Sequence, residues 1–162
     1  MKKLLMITGA MFLLTGCMQG GQSFNEVEDR RMILENIDTN LRGLLNGNAE
    51  EASVDLKSDA AFMVGRGKIN KMTRSEYKKG FEDQFKKGNY TEATKLDTPI
   101  IVFSKDGTMA WYIGSFKFQY SYKDSLGETK TTKFNDAILC VLEKKDNQWS
   151  VVAQAETFSN EK

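Results

Sequence analysis

Beyond Tyr90 the chain is written as one strand after another, and this constrains its fold more than any other feature. Thr91 to Ser104 holds Pro99 and the β-branched run Ile100-Ile101-Val102; Met109 to Lys123 is long and aromatic; Thr129 to Lys144 and Trp149 to Phe158 follow. Between them stand Lys105-Asp106-Gly107, Ser125-Leu126-Gly127 and Asp146-Asn147, residue types that close tight turns. Short turns between long strands predict an antiparallel meander. Because successive strand side chains point to opposite faces, Tyr112, Phe116, Phe118, Tyr120 and Tyr122 share one side of the aromatic strand. Met109, Trp111, Ile113, Ser115, Lys117 and Gln119 share the other.

The part before Tyr90 is mostly helical in pattern. Ser23 with Glu26 reads as a capping box, and Val27, Arg31, Leu34, Ile37, Leu41, Leu44 and Leu45 form a stripe at spacings of three and four, with Arg31 as its polar exception. Gly47 and Asn48 end it. A second short helix is expected to follow, with Asn48 as N-cap, Glu50 and Glu51 in its first turn, and Ala52, Val54 and Leu56 behind. Ala60 to Val64 reads as a short strand with turn residues Gly65, Gly67 and Asn70 around it. Thr73 with Glu76 is a second capping box, opening a helix in which Tyr77, Phe81 and Phe85 recur every four residues up to Gly88. Helices first and a meander afterwards predict an α+β domain, with N-terminal helices packed in a curved antiparallel sheet.

The first residues serve another purpose. Lys2 and Lys3 precede the apolar run Leu4 to Leu14, and Leu14-Thr15-Gly16-Cys17 resembles a bacterial lipobox. The run is too short for the ~20 residues of a spanning helix. The resemblance implies a signal peptide over 1–16 and a diacylglycerol on the thiol of Cys17, which becomes the first residue after cleavage. Residues 17–24 are then a lipidated tether and 25–162 the domain. Two or three acyl chains hold a protein where one gives marginal anchoring, so the expected partner is the lipid bilayer, through Cys17. The expected location is the bacterial cell envelope; Met18, in place of Asp after the lipidated cysteine, favours the outer membrane if the host is Gram-negative.

Charge and composition remove several function classes. Among 162 residues, 23 basic and 22 acidic side chains balance to +1, which gives no footprint for nucleic acid. With no histidine in the chain, the usual zinc sites and Ser-His or Cys-His pairs are not expected, and no metal or cofactor is anticipated. Cys140, within Ala137-Ile138-Leu139-Cys140-Val141-Leu142, reads as a small buried apolar residue. Gly65-x-Gly67 lacks the rest of a phosphate loop.

The ending from Ala137 to Val152, a strand, a short polar turn and Trp149-Ser150-Val151-Val152, resembles the closing hairpin of SnoaL-like domains in the nuclear transport factor 2-like (cystatin-like) group. Ala153 and Ala155 stand where related domains often carry His. The resemblance implies a cone closed by helices and lined by the inner face of the sheet, able to hold a small apolar ligand. Its expected lining is Tyr112, Phe116, Phe118 and Tyr120, with Trp111 as a further candidate. A covered outer sheet face implies a homodimer.

Asp59, Asp136 and Glu156 are the acidic candidates. Asp136 shares a strand side with Phe134, Ile138, Cys140 and Leu142, so a cone-facing carboxyl there would be partly desolvated and raised in pKa, as a general base requires. Glu156 fits an exposed polar face. The expected function is a membrane-anchored, non-catalytic lipoprotein that binds a small apolar ligand or an envelope partner. The alternatives are an isomerase or hydro-lyase using Asp136, and a structural or assembly lipoprotein.

Overall fold

The computed structural model describes residues 24–56 and 60–160. The expected signal peptide over 1–16, Cys17, most of the expected tether over 17–24, and Asp59 lie outside the described residues. The elements are α1 (Glu26–Asn46), a 3-10 turn (Glu51–Ser53), β1 (Ala61–Gly65), β2 (Lys68–Met72), α2 (Arg74–Phe85), β3 (Gly88–Lys95), β4 (Ile100–Phe103), β5 (Met109–Lys123), β6 (Thr129–Lys145) and β7 (Gln148–Asn160).

One seven-stranded sheet runs β2-β1-β7-β6-β5-β3, with β4 also paired to β5. The expected α+β architecture is present. One pairing departs from the expected antiparallel pattern, since β1 lies parallel to β7. Its cause is local: Val151 donates its N–H to the Asp55 carbonyl at 2.6 Å and Leu56 bridges Val151, so the chain arrives alongside β7 in the same direction. The run 91–104 is two strands rather than one, and both pair with β5. Pro99, which has no N–H to give a ladder, lies in the break between them.

Helix α1 is capped by Asn25, whose side chain accepts from the Glu28 N–H, and ends at Gly47 with φ 63°; Ser23 is outside the described residues. Its buried face is Ile33, Ile37, Leu41 and Leu44, extended at its start by Asp29. The expected stripe was rotated, for Val27 is 82% exposed and Arg31 also faces out. Asp29, 1% exposed, pairs with Lys144 Nζ at 2.6 Å and accepts from Trp149 Nε1 at 2.9 Å. Burial works against its charge, but these bonds hold its carboxyl below the ordinary range. Gly43 permits the next segment to pack on α1: a Cβ there would meet Ala52 N at 2.3 Å. Helix α2 has the expected Thr73–Glu76 capping box.

The sheet's two faces have different fates. Inward, Tyr112, Phe116, Phe118, Cys140, Leu142 and Val151 pack with the α1 stripe into one core. Trp149 closes that core at one end beside Phe103, with ring centroids 5.6 Å apart. The described chain enters at this same end, where the Phe24 ring lies 5.4 Å from Phe103 and against Gly107.

Candidate functional site

At the opposite end of β5, β6 and β7 the core opens. A cavity of about 560 Å³ lies between the inner sheet face, the end of α1 and α2, and Phe118, Phe134, Asp136, Ile138, Glu156 and Phe158 are among its lining. A second lobe of about 360 Å³ extends beneath the β1–β2 hairpin and shares Arg66, Tyr77, Phe81, Gln84, Gln154 and Glu156 with the first. A narrow recess of about 50 Å³ continues inward to Asp55, Tyr77, Tyr112 and Phe116.

Strand periodicity places the lining. On β6, Phe134, Asp136 and Ile138 point inward at every second residue, and the register sets Asp136 opposite Phe116 on β5 and Phe158 on β7. Asp136 is 9% exposed, and its Oδ1 has no hydrogen-bond partner. Burial, with a smaller push from the Glu156 charge, lifts its carboxyl to about 7. Glu156 stands opposite Ile138, one diagonal step from Asp136, and is exposed at the mouth. Gln154 holds the layer between, accepting from the Cys140 thiol at 3.6 Å and donating to Glu156 at 3.4 Å.

Most of the expected lining is brought together. Tyr112 and Phe116 form the recess, Phe118 borders both the recess and the larger lobe, and Tyr120 stands at the mouth. Tyr120 does not offer its hydroxyl freely, because it donates to the Gln84 carbonyl at 2.7 Å. Gln84 in turn donates to the Tyr90 hydroxyl at 2.8 Å, tying α2 to the sheet. Trp111 is a correction: it lies on the outer face, 39% exposed, between Val102 and Val141. Its odd position in the alternation puts it there. Cys140 is fully buried and burial pushes its thiol well up, as befits a packing residue.

Asp55 is a site residue that the sequence pattern does not mark. Its carboxyl is buried at the recess, and burial lifts it to about 6 against the opposing effects of its own backbone N–H and Arg74. The available signal was an acid between Val54 and Leu56, hidden by the helical reading of that segment. Glu156, assigned to an exposed polar face, is exposed but at the cavity mouth. Tyr77 and Tyr112 are raised well above the usual phenol range, chiefly by burial, so both are neutral hydroxyls.

Among the described residues no group of three His, Cys, Asp or Glu side chains could hold a metal ion, and no helix is long and apolar enough to cross a membrane. Chemically, the cone offers apolar walls, neutral hydroxyls and carboxyls whose protons are exchangeable near neutrality.

No family model matches the sequence, and no curated protein does either. Solved structures match in shape. A candidate scytalone dehydratase from Novosphingobium aromaticivorans superposes with a TM-score of 0.68 at 15% identity, covering 84% of this chain and 89% of that one. A ketosteroid isomerase-like protein from Erwinia carotovora atroseptica gives 0.59 at 12% identity, covering 80% and 95%. A nuclear transport factor 2-like protein from Cytophaga hutchinsonii gives 0.58 at 19% identity, covering 79% and 96%. With its helices seated in a curled sheet and its cavity opening at one end, the chain has the nuclear transport factor 2-like fold.

Proposed function

We propose that this chain is a lipid-anchored protein of the bacterial envelope whose cone binds a small, largely apolar molecule without transforming it. The observation that carries the binding is the lobe of about 560 Å³ walled by Phe118, Phe134 and Phe158, a size and lining typical of small-molecule sites. The anchor rests on the Leu14-Thr15-Gly16-Cys17 motif. Native mass spectrometry of protein purified from its own membrane in mild detergent tests both. The expected result is an acylated chain with a discrete extra mass lost on denaturation; in Cys17→Ala the acyl mass disappears and the extra mass stays. An acylated chain with no extra mass refutes the binding, and an unacylated wild type refutes the anchor.

A second reading has its own observation. Asp136 combines an unbonded buried oxygen with a carboxyl held to about 7, the state required of a general base on a carbon acid. Incubation of the recovered molecule in D2O decides between the two. Deuterium uptake with wild type and none with Asp136→Asn would make the protein an enzyme.

The outer sheet face supports a homodimer. Ile100, Ile113, Leu139, Ala155, Val64 and Ile69 lie side by side in one row across six strands, and Val102, Trp111, Val141, Ala153 and Phe62 in the next. At ~4.8 Å between strands and ~3.3 Å per residue, with Met109 and Ser115 at its margins, the face is roughly 500 Å² in plan. That is at the upper limit of the apolar patches monomers expose, and a two-fold partner presenting the same rows would cover it.

A further inference from the structure

Resting on the reading of the cone as a binding site, we propose that its ligand is a small organic cation, an ammonium head on an apolar body. The head is seated between the carboxyl groups of Asp136 and Glu156 and the rings of Phe134 and Phe158. Three features of the cavity lead to it. First, Asp136 is more than nine-tenths buried with an oxygen that bonds to nothing. Such a group destabilises a fold until a donor or cation meets it.

Second, the neighbours of Asp136 on the inner sheet face are aromatic. Phe116 and Phe158 flank Asp136 on the adjoining strands, and the Phe134 ring lies 6.4 Å from that of Phe158 and 5.3 Å from that of Phe118. Ring faces carry negative potential, which attracts an ammonium and disfavours a carboxylate. The mouth already seats a cation in this way: the Arg66 guanidinium lies 5.0 Å from the centre of the Phe158 ring.

Third, the charge balance favours a cation. Among the described lining residues of the three chambers, Asp55, Asp136 and Glu156 are acidic and Arg66 alone is basic. The tyrosines that face the site, Tyr77, Tyr90 and Tyr120, are held neutral by burial. An anionic ligand would meet one guanidinium and three carboxyls. A cation would meet the same groups with attraction from three and repulsion from one, and its charge would favour the ionised form of Asp136, so binding near pH 7 is coupled to proton release.

Calorimetric titration of the full chain in a nonionic detergent at pH 7 tests this with three probes that share one tail: hexyltrimethylammonium, hexan-1-ol and hexanoate. The ammonium is expected to bind at least about tenfold more tightly than the alcohol, and hexanoate more weakly than both. Asp136→Asn and Glu156→Gln should each reduce the ammonium preference while leaving the alcohol's affinity in place. Comparison of buffers with different ionisation enthalpies should show proton release for wild type and none for Asp136→Asn. Equal binding of ammonium and alcohol, tighter binding of hexanoate, or an ammonium preference unchanged in both variants overturns the cation and leaves the cone a binding site. If none of the probes binds, the cone reading falls as well.

Discussion

Asp136 makes folding itself depend on pH in an unusual direction. An ordinary carboxyl titrates near ~3.9 in the unfolded chain, whereas this one titrates at about 7 when folded and Asp55 at about 6. Between those limits the folded state holds more protons than the unfolded one, so stability falls as pH rises from ~4 and levels off above ~7. Urea melts from pH 4.5 to 8 are expected to show this decline. Asp136→Asn should flatten its upper part and Asp55→Asn its lower part; an undiminished slope in both variants would count against the assignment. The sequence pointed to Asp136 because alternation along β6 put it with Phe134 and Ile138. Asp55 was illegible, since its burial comes from the long-range bond between Asp55 and Val151 that seats β1 beside β7.

Individual elements were legible in proportion to how local their causes are. The Thr73–Glu76 box needs residues three apart and reads directly from sequence. The β1–β2 hairpin was missed because its turn is Arg66-Gly67, with φ 50° and 71°; the first position takes an arginine where Asn or Asp is the usual signal. On α1 the buried face begins with Asp29, a polar residue that breaks the apolar pattern, and its place is fixed by Lys144 and Trp149 far along the chain. That contact ties the start of α1 to the β6–β7 hairpin. Removing one partner of a buried pair strands the other, so Lys144→Met is expected to cost about 3–5 kcal/mol in chemical denaturation. The carboxyl of Asp29 sits below its ordinary range. Its contribution is therefore present above ~3.9 and lost as pH falls through the folded value. The double variant Asp29→Leu/Lys144→Met should recover much of the loss.

At the scale of the whole molecule the fold class was legible and the strand order less so, because pattern identifies strands but not the parallel neighbour of β7. The outer rows were legible as a second apolar side to β5, yet only the register shows that they continue into β1 and β2. Sedimentation of the wild type is expected to give a dimer, and Trp111→Lys with Ile113→Lys a folded monomer. A monomeric wild type at high concentration removes the dimer.

The described chain enters at Phe24, against Phe103 and Gly107, while the cavity lies towards the other end of the sheet, at Tyr120, Phe134 and Phe158. From Met109 to Tyr120 along β5 is about 35 Å at ~3.3 Å per residue. A domain held to a bilayer by Cys17 would thus stand on its closed end with its opening turned away from the lipid. It would load from dissolved molecules or from a facing carrier rather than by extraction from the leaflet beneath it. Shortening the tether would change where the protein samples its surroundings and leave its affinity unaltered.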